Sequence, residues 1–205
     1  MKKIILASQS PRRSEILKKA KYDFVSIPTH VSEIPDKNLN LNEQIIDIAR
    51  RKSQFCQNFI RDKSLGFDFK AENSLILSAD TMVCLKEKAL GKPDSESMAF
   101  QFLKELSAKT HQVKTAVVML DLATHEEVSL IETTDVTFRA LTDDEIADYI
   151  KTGEPLDKAG AYAIQGLGRK FVKNYHGDFD NVVGLPLQAI EKVFKIKSWT
   201  LKRLP

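Results

Sequence analysis

Lys3-Ile4-Ile5-Leu6-Ala7-Ser8-Gln9-Ser10-Pro11-Arg12-Arg13 is the stretch on which the reading of this chain turns. Its apolar run stops at Ala7, too short for the core of a signal peptide or a membrane span, and it suits a buried strand. The polar segment Ser8-Gln9-Ser10 breaks the strand. Ser10 then predicts a helix N-cap and Pro11 the first helical position, where the missing N–H costs nothing. Arg12 and Arg13 fall in the first helical turn, at the positive end of the helix dipole. Two cations there oppose the local field unless an anion occupies the site. Backbone N–H groups, the Ser8 and Ser10 hydroxyls and two guanidinium forks make a phosphate cradle. The alternative is a solvated basic turn.

Outward from this stretch the α/β alternation continues. Residues 22–28 read as a second strand and about 41–60 as a long helix, with Asn40 or Asn42 as its cap. Residues 61–74 have no clear period and read as an exposed insertion. Leu75-Ile76-Leu77-Ser78-Ala79 is a buried-type strand ending at Asp80. After a turn at Gly91-Lys92-Pro93, Ala99, Phe102, Leu103 and Leu106 mark one face of a helix over about 95–107. Two strands follow near 112–122 and 127–139, the second with Val128, Leu130, Val136 and Phe138 all on even positions, and a short link between them. Thr142 and Glu145 form a capping-box pattern for a helix that stops at Gly153, and a last helix covers about 186–196.

Composition narrows the functional classes. The 205 residues suffice for one domain with its own core, possessing 42% hydrophobic and 29% charged residues, so global disorder is not expected. A net charge of +3, with Lys and Arg dispersed, argues against a nucleic-acid partner. Two cysteines and four scattered histidines argue against a disulfide framework or a zinc site. No apolar run approaches the ~18 residues of a membrane span, so no membrane partner is expected and the compartment is read as the cytoplasm.

Several residues stand out chemically. Lys52 lies inside the apolar stripe Ile45, Ile48, Ala49, Phe55, Cys56 and Phe59, where a lysine either snorkels or meets an anion; Arg50 and Arg51 fall off the stripe and read as solvated. Asp80 at a strand end is placed to hold a divalent cation or act on water, or simply to cap a turn. Glu33 offers a second carboxylate from a loop, and Lys92 sits in a Gly/Pro-shaped turn. Four of the eight glycines lie between Gly153 and Gly168, which predicts close approach of backbone to a ligand or to other backbone. Within that segment Gln165 both donates and accepts, as a uracil or thymine edge requires.

Together these segments resemble the Maf family of nucleoside triphosphate pyrophosphatases. The matching pieces are Leu6 to Arg13, Glu33, Ile48 to Lys52, Ser78-Ala79-Asp80-Thr81, Gly91-Lys92-Pro93, Asp157 to Gly166, and Asn181 to Pro186, in family order over nearly the whole chain. The resemblance implies an α/β fold with an elongated, curved mixed sheet flanked by helices and two lobes around a deep cleft. It implies hydrolysis of a nucleoside triphosphate between the α- and β-phosphates, a Mg²⁺ or Mn²⁺ cofactor held by Glu33 and Asp80, and a homodimer. Asp80-Thr81 and the Tyr162 to Gly166 pattern resemble the branch acting on dTTP and UTP. By that match Asp80 is the proton acceptor and Arg12, Thr81 and Gln165 set specificity. Ser8, Ser10, Arg13, Lys52 and Lys92 are the expected phosphate ligands. The alternatives are a 7-methyl-GTP or broad-range pyrophosphatase, and a nucleotide-binding regulator of cell division without turnover. Two departures from the family pattern are Ser32, where an acidic residue usually precedes Glu33, and the 61–74 insertion.

Overall fold

The computed structural model describes residues 1–62 and 73–204. Its strands are β1 (Lys3–Ala7), β2 (Phe24–Ile27), β3 (Ser74–Leu85), β4 (Lys88–Leu90), β5 (Thr110–Asp121), β6 (Glu127–Phe138) and β7 (Val172–His176). They form a mixed seven-stranded sheet of order β2-β1-β3-β5-β6-β7, with β4 on β3. β1 runs parallel to β2 and β3, whereas β4 and β7 pair antiparallel with β3 and β6. The helices are α1 (Pro11–Lys19), α2 (Leu41–Arg61), α3 (Glu96–Leu106), α4 (Asp143–Ile150), α5 (Phe179–Val183) and α6 (Leu187–Ile196). Among the described residues no helix is long and apolar enough to cross a membrane.

Contacts divide the chain into two compact units, the first of residues 1–80, 116–131 and 184–205, the second of 81–115 and 132–183. In the first unit Ile5, Ala7, Ile27, Cys56, Ile76, Leu120 and Leu122 form a buried cluster. The apolar stripe predicted for α2 supplies Ile45, Ile48, Ala49 and Cys56 to the interior. Asn40 closes this helix with a full capping box: its side chain accepts from the Asn42 and Glu43 amides, and Glu43 returns a bond to the Asn40 amide. The last residues complete the unit, because Lys2 N–H donates to the Thr200 carbonyl and Lys202 N–H to that of Lys2, with isolated bridges Lys2–Leu201 and Tyr22–Arg203.

The second unit has an aromatic interior. Phe138 and Tyr162 meet edge to face at 4.8 Å, Tyr149 and Phe171 at 4.9 Å, and His111 and Phe138 at 5.0 Å. Thr142 and Glu145 form the predicted capping box of α4, and the even-numbered residues Thr134, Val136 and Phe138 of β6 face inward. Burial lowers the His111 imidazole to about 4, against the pull of Asp135. Its Nε2 lies 2.8 Å from the Tyr162 hydroxyl, and its Nδ1 finds no hydrogen-bond partner among the described residues. The folded pKa therefore lies below that of the unfolded chain, so the unfolded chain takes up the proton first as pH falls. Stability is full above about 6.5 and drains as pH drops toward 4. Between pH 7.5 and pH 5 we expect His111 to withdraw about 2 kcal/mol. Urea unfolding at both pH values, compared with His111→Asn, measures it; equal pH dependence in the two proteins would refute it.

Two local expectations are revised. β3 does not end at Asp80: Met82, Val83 and Cys84 continue it to Leu85, and β4 pairs with that extension in register Val83 to Leu90. Arg61 closes α2 and the buried Ser74 opens β3, so neither belongs to an exposed insertion. Asp62 and Asn73, between them, are exposed, and residues 63–72 of that expected insertion lie outside the described residues.

Candidate active site

In the first unit, the turn after β1 and the start of α1 form as the sequence predicts. Ser10 has the extended backbone of an N-cap, Pro11 opens the helix, and no acidic residue occupies the first turn. The Ser10 hydroxyl makes no capping bond, however. Ser8 braces the turn instead: its Oγ accepts from the Ser10 amide at 3.1 Å and from Arg13 Nη1 at 3.2 Å. With both lone pairs engaged, what Ser8 retains is its O–H, a donor suited to a phosphate oxygen. Arg13 is buried, and its Nε donates to the Gly184 carbonyl at 2.8 Å. Burial pushes its guanidinium below the ordinary value, while the Asp80 and Glu33 carboxylates pull it back up. Arg12 is half-buried and makes no ion pair among the described residues.

The docking of α2 on β3 assembles the charged centre. Ser78, fully buried, donates its hydroxyl to the Ala49 carbonyl at 2.8 Å. That bond sets Lys52, three residues along the helix, beside Asp80, two residues along the strand. Lys52 Nζ lies 2.7 Å from Asp80 Oδ1 and 2.7 Å from Glu33 Oε1. The inward-facing lysine thus meets an anion, and the anion is a pair of carboxylates. An ammonium has three N–H donors, so one remains for a further acceptor.

Arg51 was read as solvated and is not. Its guanidinium donates to the carbonyl oxygens of Ser32 and Ile34, on either side of Glu33, and pairs with Asp47 at 3.0 Å. It pins the loop that presents Glu33. The sequence carries no signal for this, because the carbonyl acceptors belong to a loop far from Arg51 along the chain. Arg50 likewise finds a partner, Glu127 at 2.8 Å.

The second unit carries Thr81, Lys92 and Gln165. Thr81 Oγ1 lies 3.0 Å from Thr115 Oγ1, and Lys92 and Gln165 are exposed. Three of the four glycines from 153 to 168, Gly160, Gly166 and Gly168, are crowded by other groups of the protein, whereas Gly153 has open space and a left-handed backbone. A Cβ on Gly166 would stand 2.4 Å from a Glu154 carboxylate oxygen, and Gly160, at φ +67°, turns against the Val83 side chain. Glu154 accepts the Leu167 amide at 3.0 Å, the Gly168 amide at 3.1 Å and the Tyr149 hydroxyl at 2.7 Å. Burial alone would raise the Glu154 carboxyl, but these bonds more than offset it and the net shift is downward. Tyr149 is pushed up by burial and by the same carboxylate. Close packing around Glu154 therefore shapes the turn that carries Gln165.

Among the described residues no three His, Cys, Asp or Glu side chains converge as a self-sufficient metal site. Glu33 and Asp80 nonetheless approach one ammonium and are hard oxygen donors. Two carboxylates completed by phosphate oxygens and water is the arrangement Mg²⁺ favours in nucleotide enzymes, so the residues present fit such an ion.

A family model described as Maf-like protein matches residues 3–196. A dTTP/UTP pyrophosphatase of Bdellovibrio bacteriovorus is 48% identical over 93% of this chain and 96% of its own length. Proteins of the same name from Caldicellulosiruptor saccharolyticus and Halalkalibacterium halodurans are 42% and 41% identical, covering 99% and 98% of this chain and 98% and 100% of their own. A solved nucleoside-triphosphatase (dITP/XTP pyrophosphatase) from Mycobacterium abscessus superposes with a TM-score of 0.45 at 12% identity, over 96% of this chain and 97% of that one, too distant a likeness to bear on the site.

Proposed function

Because the chain belongs to the Maf-like protein family, we propose that it hydrolyses dTTP and UTP to the nucleoside monophosphate and pyrophosphate. Full-length identity to dTTP/UTP pyrophosphatases supports the substrate. The observation that carries the chemistry is the Lys52 ammonium bonded to both Asp80 and Glu33, with Arg13 near enough to feel both carboxylates.

In this reading water attacks the α-phosphorus in line with the bond to the bridging α–β oxygen. That bond breaks, pyrophosphate leaves, and the proton of the attacking water passes to the Asp80 carboxylate. Glu33, held by Arg51, helps orient the water. Ser8 donates to a phosphate oxygen, and Ser10, Arg12, Arg13, Lys92 and the third N–H of Lys52 offset charge on the triphosphate and the leaving group. Thr81 and Gln165 read the base, with Arg12 contributing to that choice. Glu33 and Asp80 would also hold Mg²⁺ or Mn²⁺, which supplies further neutralisation of phosphate charge.

Pyrophosphate release over a panel of dTTP, UTP, CTP, GTP and 7-methyl-GTP, with Mg²⁺, Mn²⁺ or chelator, tests the reading. The expected result is turnover of dTTP and UTP above the rest and its loss in chelator. Preference for 7-methyl-GTP would overturn the substrate assignment, and binding without pyrophosphate release would overturn catalysis.

A further inference from the structure

We infer that Glu154 is a positioning residue for Gln165, and that it thereby sustains the preference for uracil and thymine over cytosine. The inference rests on the reading that Gln165 meets the base. After Gln165 in the chain, Glu154 Oε2 accepts the Leu167 amide at 3.0 Å and Oε1 the Gly168 amide at 3.1 Å. Before it, Glu154 acts through Tyr149, whose hydroxyl accepts the Ala163 amide at 3.3 Å and donates to Oε1 at 2.7 Å. Tyr149 is itself fully buried, edge to face with Phe171. One carboxylate therefore anchors the main chain on both sides of Gln165. Between the anchors the Gly166 N–H closes a turn on the Ala163 carbonyl at 3.2 Å, with Gln165 inside it.

The glycines of this turn admit the anchor at close range. A Cβ on Gly168 would stand 2.8 Å from the Tyr149 hydroxyl oxygen, just as one on Gly166 would meet Glu154. Neither glycine has a left-handed backbone, so what each supplies is room. Both Glu154 oxygens face donors only, an arrangement that calls for the ionised carboxylate. Burial raises this carboxyl, but the two amides and Tyr149 bring it net below its ordinary value.

Gln165 is exposed, so its own surroundings restrain it little. A carboxamide matches the N3–H and a carbonyl of uracil or thymine in one orientation. Turned over, it matches the bare N3 and the amino group of cytosine. The residue type alone therefore does not choose between the bases. The choice requires the carboxamide to be held at one place and angle, which falls to the anchored turn behind it.

The test is a double-mutant cycle read on the ratio of kcat/KM for UTP to that for CTP. It compares the wild type, Glu154→Gln, Gln165→Ala and the double variant. Glutamine keeps the shape of Glu154, yet either way round its NH2 group faces a main-chain N–H and an anchor is lost. The ratio should fall about tenfold in Glu154→Gln, with KM for UTP rising more than kcat falls. Gln165→Ala should lower the ratio at least as far, and the double variant no further than Gln165→Ala alone. General structural damage lowers both nucleotides together and leaves the ratio alone. If Glu154→Gln does not fold, Tyr149→Phe replaces it, giving up the Ala163 anchor, with an expected fall of about threefold. A wild-type ratio in Glu154→Gln or its replacement would overturn the inference, as would a full additional fall in the double variant. An unchanged ratio in Gln165→Ala would instead overturn the reading that Gln165 meets the base.

Discussion

Asp80→Asn is expected to lower kcat about a thousandfold while leaving nucleotide affinity within roughly threefold of wild type. The substitution is nearly isosteric, and the Asn oxygen can still accept from Lys52, which lies 2.7 Å from Oδ1 in the wild type. What disappears is the negative charge that takes the proton from the attacking water. Pyrophosphate release under single-turnover conditions, with calorimetric binding of a non-hydrolysable nucleotide, separates the two quantities. Ordinary turnover in this variant would remove Asp80 from the chemistry. A parallel loss of binding would assign it to substrate capture.

Lys52→Met has the second large expected effect, and it acts on the fold as well as on activity. The methionine fills the apolar slot in α2, but Asp80 then lies in a largely buried position without its ammonium. Removing one partner of such a pair costs about 3 kcal/mol, and Glu33, more exposed, adds little. For a chain of this size that corresponds to a drop in Tm of roughly 6–12 °C. Turnover should fall further than stability alone explains, because Lys52 is what draws Glu33 and Asp80 together. Thermal unfolding with and without nucleotide, and kcat measured well below the Tm, make the comparison. An unchanged Tm would show the pair to be energetically idle.

Sequence reading succeeded where one element's periodicity carried the information. The inward position of Lys52 follows from helical spacing alone, which left snorkelling or an anion as its two outcomes; the structure supplies the anion. The Thr142–Glu145 capping box is a local pattern of four residues and forms, and of the two candidate caps of α2 it is Asn40 that closes the helix. Reading failed where partners lie far apart along the chain. Asp80 looked like a strand end because the apolar run pauses there, yet β3 continues by pairing with β4. β7 has exposed residues at Lys173 to His176 and hence no alternation to detect. The glycine-rich segment announced close packing correctly but could not say against what; the neighbours include Glu154 and Val83. The hydrogen bonds of Thr115 to Thr81 and to the Asn181 carbonyl join three segments distant along the chain, which no local pattern announces.

The bridges between the first residues and the last have a consequence for a chain that is incomplete. Lys2 and Tyr22 pair with Leu201 and Arg203, and Asp23 N–H donates to the Lys202 carbonyl. Any N-terminal fragment that stops before residue 199 lacks part of the first unit, whereas one that reaches residue 183 already holds every residue of the second. On the ribosome, the unit that begins first is therefore the one whose parts list is completed last. Asp80 and its neighbours are synthesised early, within a unit whose closing segment has yet to emerge.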